Sequence, residues 1–175
     1  MRQAYRLLIM VLIPMLFGCF KHEYVWTEMP ITNKVMPQEV ILKEGKVIDI
    51  IKGKSDDEKV LLGSVMNHRY FATEQLLTDA IADQLSIELR KRDVEIKPAG
   101  EKFIEIAVTS VQFERGFMTI CTTLDIKVKL GKDKNKLLKV YSCTPSTVDR
   151  LYDGVVQVAV MDILKDLDVL AYINS

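Results

Sequence analysis

Thiols and imidazoles are the side chains best suited to chemistry near neutral pH, and this sequence holds three cysteines and two histidines. Cys19 ends an apolar run and follows Leu16-Phe17-Gly18, a setting for modification rather than catalysis. Cys121 and Cys143 stand apart from it, with no C-x-x-C spacing that would suggest a redox centre or a zinc site. The histidines, His22 and His68, have no H-E-x-x-H spacing around them. Ser64 lies near His68, but no nucleophile elbow or oxyanion loop accompanies the pair. Asp56-Asp57-Glu58 lacks the alternating oxygen ligands of a calcium loop and reads as a solvated turn. Asp162, Asp166 and Asp168 are expected on the outer side of the last helix, where solvation explains them. The expectation is therefore a protein that is not an enzyme, with no metal and no cofactor.

The chemistry around Cys19 is more definite. Arg2 and Arg6 form a short positive start, and residues 7–17 are apolar apart from Pro14. A charged start, a short apolar core and a small residue before the cut make a secretory signal. The run is too short to span a bilayer, which needs roughly 20 apolar residues. Leucine three positions before the cysteine, with glycine directly before it, resembles the bacterial lipobox; Phe17 is bulkier than the Ala, Ser or Thr usual there. The resemblance implies that the Cys19 thiol receives a diacylglycerol and that cleavage before Cys19 frees an amino group for a further acyl chain such as palmitate. Each buried CH₂ contributes about 0.8 kcal/mol, so several chains anchor firmly. The competing reading is an ordinary signal, or an uncleaved anchor, with a chance cysteine. Phe20 and Lys21 follow, with no Asp after the cysteine, which by the lipoprotein sorting rule favours the outer membrane.

Residues 1–18 are thus read as signal peptide, 19–39 as lipidated N-terminus and tether, and 40–175 as one α+β periplasmic domain. The signal holds two of the 24 basic residues and none of the 24 acidic ones, leaving a formal charge of −2 on the mature chain. That balance argues against nucleic acid as a partner. In an exported protein Cys121 and Cys143 are free to bridge. If Leu130 pairs with Lys134 in a hairpin, the two cysteines stand directly opposite; a register shifted by two residues separates them as unbridged thiols.

The elements follow from hydrophobic periodicity. Residues 47–51 and 60–65 are strand candidates separated by a polar turn. Leu77, Ala80, Ile81, Leu85 and Leu89 form a helical stripe over 73–91, with Thr73 as cap and Glu74, Thr78, Asp83 and Ser86 facing away. Arg90-Lys91-Arg92 complements the helix dipole. Residues 103–111 and 117–130 alternate with period two, turn at Arg115-Gly116, and continue through 131–135 into a strand at 137–144. Ser146 or Thr147 can cap a final helix whose apolar face runs from Tyr152 to Leu167, with Gly154 admitting close packing on the sheet. The fold class expected is α+β, a two-layer sandwich of a mainly antiparallel sheet against two amphipathic helices. Residues 20–39, with Trp26, Pro30 and Pro37, read as a tether becoming a packed arm.

One small constellation combines Asn67, His68, Arg69 and Tyr70 with Arg115 and Phe117. Aromatic and arginine groupings are enriched at binding surfaces; the plainer reading is a polar loop with rings tucked under the sheet. The order of parts, from the lipobox through Arg90-Lys91-Arg92 to residues 158–166, resembles the YajG-type family of small, largely uncharacterised lipoproteins over roughly residues 60 to 173. That resemblance implies an outer-membrane periplasmic lipoprotein with no assigned catalytic residues. The functional expectation is a non-enzymatic binding or accessory module in cell-envelope assembly or maintenance, with the membrane and an envelope protein as partners. The alternative is a lipid or lipopolysaccharide transport accessory lipoprotein. The oligomeric state is left open.

Overall fold

The computed structural model describes residues 21–29, 40–116, 119–145 and 147–175. The signal peptide, Cys19, Pro30, Pro37, Phe117 and Ser146 lie outside the described residues.

Alternation of side chains builds the larger sheet. In β7, Ile120–Leu130, the side chains of Ile120, Thr122, Leu124, Ile126, Val128 and Leu130 are all buried. That face pairs antiparallel with β6, Phe103–Arg115, and with β8, Lys134–Thr144. Two further strands extend the sheet past β6: β2, Val47–Lys52, runs parallel to β6, and the short β5, Glu95–Ile96, runs parallel to β2. The order is β5-β2-β6-β7-β8. A second sheet, ordered β1-β4-β3, comprises β1 His22–Val25, β3 Lys59–Val65 and β4 His68–Thr73. β1 lies parallel to β4, and β3 antiparallel to it.

Helix α1, Glu74–Arg90, opens at Thr73, whose hydroxyl accepts from the Leu76 amide at 3.1 Å. Its stripe of Leu77, Ile81, Leu85 and Leu89 is fully buried. Helix α2, Val148–Lys165, adds Leu151, Val155, Val156, Ala159, Val160 and Ile163 to the same core. α1 packs on β6, and α2 on β8 and β7. Each such aliphatic side chain contributes about 1.5–3 kcal/mol by leaving water.

Thr78 shows how α1 is fixed to the sheet. It was expected on the outward face, yet it is fully buried. β2 ends at Lys52 opposite Ile106, so the Val108 amide of β6 runs beyond its strand partner. A bulge between Val108 and Ser110 marks the place. The Thr78 hydroxyl accepts from that amide at 2.8 Å and meets Ser55 Oγ at 2.7 Å. A buried amide left without a partner is costly, and a threonine reaching down from the helix removes that cost. Gly53 allows the approach, because a Cβ there would sit 2.7 Å from the Ile106 carbonyl oxygen.

The expected sheet and helix count are corrected. The described residues form a mixed α+β fold with two sheets and three helices, and both sheets contain parallel pairs. The final helix does not run through to Leu167. Asp166 has extended backbone, stops α2, and caps a third helix, α3, Leu167–Asn174, by accepting from the amides of Asp168 and Val169. Leu167, expected on the apolar face, is therefore turned out and 81% exposed.

Candidate functional site

β1 occupies residues expected to be tether. Its side chains alternate, and His22, Tyr24 and Trp26 fall on one side of the chain. Parallel pairing sets His22 against His68 and Tyr24 against Tyr70. The rings form a ladder. His22 and His68 are 5.5 Å apart and nearly parallel, Tyr24 lies 5.5 Å from His68 and 5.4 Å from Tyr70, and Trp26 lies 5.9 Å from Tyr70. The last rung is an edge-to-face contact of Trp26 with Tyr152, at 5.9 Å.

The ladder thus runs from solvent to core. Tyr24 is 44% exposed, whereas Tyr152 is fully buried. The Tyr152 hydroxyl meets Thr122 Oγ1 at 3.2 Å, and Thr122 in turn donates to the Gln112 carbonyl at 3.1 Å. Burial pushes the Tyr152 hydroxyl well above its ordinary range, so it stays neutral and can donate to Thr122. The Nδ1 of His68 is buried with no hydrogen-bond partner among the described residues.

The backbone of β1 adds a second feature. His22 and Trp26 donate inward, to the carbonyls of Asn67 and Phe71, each at 2.8 Å. Strand amides alternate in direction, so those of Glu23 and Val25 face away from β4, along an edge with no strand partner among the described residues. Tyr24 and Val25 are both exposed there. Beyond Trp26 the chain forms one wall of a cleft of about 370 Å³, lined by Thr27, Met29, Leu76, Asp79 and the ion pair Lys52–Asp83 at 2.9 Å.

The other singled-out residues lie elsewhere. In the β7–β8 hairpin Leu130 pairs with Lys134, and Cys121 stands opposite Cys143. The two cysteines form a disulfide, with Cα atoms 4.1 Å apart. It sits on the face of the sheet away from the helices, where Cys143 is exposed and the Tyr141 hydroxyl lies 2.8 Å from its sulfur. Ser64 faces Arg69 across β3 and β4. Arg115 ends β6, pairs with Ile120 of β7 and is exposed. Asp56 accepts from the Glu58 amide at 2.8 Å in an exposed turn. Burial, then the Asp56 carboxylate, push the neighbouring Glu74 up.

Three carboxylates are engaged in ion pairs, and two of them, Asp166 and Asp168, were expected merely to be solvated. Glu88 of α1 is 1% exposed and is held by Lys91 and Arg92, each at 2.8 Å. Burial alone would raise its carboxyl, but those two bonds outweigh it and hold the group below the ordinary carboxylate range. Asp166 pairs with Lys136, and Asp168 with Lys134 at 2.7 Å and Lys136 at 3.1 Å. Burial would raise Asp166, yet Lys136 and the Val169 amide draw it down; Lys134 and Lys136 lower Asp168. These pairs lock α3 to β8.

Period-two spacing in His22-Glu23-Tyr24-Val25-Trp26 and in His68-Arg69-Tyr70 was the available signal for the ladder. Strands of four and six residues give it too few repeats to separate from a loop.

No family model matches the sequence, and no curated protein does; the YajG-type resemblance is not confirmed. Among solved structures, the fold is similar to uncharacterised protein CT253 from Chlamydia trachomatis, with 8% identity, 70% of this chain and 96% of that chain covered, and a TM-score of 0.44. It is also similar to protein XCC0632 from Xanthomonas campestris, described with the family model DUF330, at 11% identity and a TM-score of 0.57. That match covers 86% of this chain and 95% of the other, so the chain shares the overall fold of an uncharacterised bacterial protein.

Proposed function

We propose that the chain is a lipoprotein held at the periplasmic face of the outer membrane through lipidated Cys19, and that it serves as a non-enzymatic protein-binding module in envelope assembly or maintenance. The lipobox-like Leu16-Phe17-Gly18-Cys19 and the resemblance to YajG-type lipoproteins support the address. The observation that carries the binding role is the open edge of β1. Its outward amides, with Tyr24 and Val25 exposed beside them, suit an extended peptide added as a further strand. Main-chain bonds supply affinity in that mode, and the rings beside the edge supply selectivity.

A photocrosslinking residue placed at Glu23, exposed on the same strand, should in cells capture one discrete envelope protein. Val25→Pro removes an outward donor while sparing the inward bonds of His22 and Trp26, so it should abolish capture with thermal unfolding unchanged. Capture that survives Val25→Pro would sink the strand-addition mode. Crosslinks to lipid alone would favour a lipid-transport accessory instead. Cys19→Ser, followed by mass spectrometry, tests the anchor separately.

A further inference from the structure

We infer that the β3–β4 turn, with Met66 at its tip, rests on the lipid surface to which Cys19 is tied, so that the three-stranded sheet stands on end at the membrane. This rests on Cys19 being lipidated. His22 follows Cys19 by three positions, and three residues reach at most about 10 Å. His22 is also the first residue of β1, and its amide donates to the Asn67 carbonyl at 2.8 Å. Parallel pairing is decisive. It puts the start of β1 beside the start of β4, and hence beside the turn at Met66 and Asn67. An antiparallel β1 would have carried the anchor to the Thr73 end.

The tip is suited to what it would meet. Met66 is 85% exposed, on a backbone with φ of +52°, a conformation that non-glycine residues rarely adopt. A flexible apolar side chain is thus thrust outward where the core does not call for it. Lys21 is exposed directly before His22, and Arg69 lies one residue beyond His68, 4.0 Å from Glu23. Cations at that level suit lipid phosphates. One methionine binds a membrane weakly on its own. The acyl anchor makes the contact intramolecular, so a high effective concentration keeps a weak contact populated.

The far end of the same sheet serves as the ruler. Lys59 pairs with Thr73 six residues along β3 from Val65, about 20 Å farther from the turn. An environment-sensitive fluorophore is attached to Met66→Cys or to Lys59→Cys in the full lipidated chain, with the Cys121–Cys143 bridge intact. Each protein is placed in vesicles of phosphatidylethanolamine and phosphatidylglycerol carrying a lipid-borne quencher, and the Cys19 acyl mass is read from the same sample. Quenching at position 66 is expected to exceed that at 59 several-fold, with a blue shift at 66 alone. Equal quenching, or more at 59, on a protein with acylated Cys19 overturns the orientation and leaves the anchor standing. An unacylated Cys19 overturns both.

Discussion

Every second residue of β7 is sealed under helices, whereas the three-stranded sheet carries its rings along an edge that solvent reaches. The first region is aliphatic and layered: Leu124, Ile126 and Val128 meet the stripes of α1 and α2 with no exposed surface. The second is aromatic and graded, from His22 and Tyr24 in water to Tyr152 in the core. Aliphatic burial is large and indifferent to partners outside the chain. Ring stacking at an edge adds little stability but leaves flat surface, and amides with no strand partner among the described residues. The contrast assigns stability to one region and, on the proposed function, recognition to the other.

Ile126→Ala should test that assignment most severely, costing about 2–5 kcal/mol in urea unfolding. Reducing the Cys121–Cys143 bridge, whose cysteines are 22 residues apart, should cost about 3 kcal/mol through the unfolded chain. Because the bridge lies on the face away from the helices, it should leave capture at β1 unchanged. Glu88→Gln should cost about 1–2 kcal/mol, since Lys91 and Arg92 lose a buried carboxylate. Its sign with pH is set by the depressed carboxyl. The contribution is complete above the unfolded value near 4.5 and is lost as pH falls through the lower folded value. The acid limb of a stability profile should therefore flatten in the variant below about pH 4.5. Tyr24→Ala should cost less than about 1 kcal/mol, the worth of exposed ring pairs, while removing partner capture. A loss comparable to that of Ile126→Ala would erase the distinction between the two regions.

The same contrast explains what could be read in the residues. β7 announces itself because eleven residues give period two enough repeats, and α1 does so through its stripe from Leu77 to Leu89. β1 and β5 are too short for any period, and their parallel partners are distant in sequence. Thr78 looked like a surface residue because helical spacing places it off the apolar stripe. Only the end of β2 and the bulge in β6 create the amide that it satisfies. Asp166 and Asp168 read as solvated carboxylates, since nothing local shows that Lys134 and Lys136 face them from β8. Periodicity reveals faces, whereas tertiary partners of polar groups are invisible to it.

Gly154 gives the smallest effect and the one with an unexpected sign. Glycine inside α2 reads as a concession to close packing against the sheet. A Cβ built there meets only Ser142 Oγ, at 3.6 Å, which is ordinary contact. Gly154 is not among the residues with positive φ, so the helix imposes no backbone need for glycine. Alanine is favoured over glycine by about 0.8–1.0 kcal/mol inside a helix, because the unfolded chain loses less entropy on ordering. Gly154→Ala should thus stabilise the domain by up to about 1 kcal/mol, read as a higher urea midpoint at unchanged slope. A fall in the midpoint would mean that α2 and β8 approach more tightly than the Ser142 contact allows, and that the helix-covered face has less slack than its aliphatic packing implies.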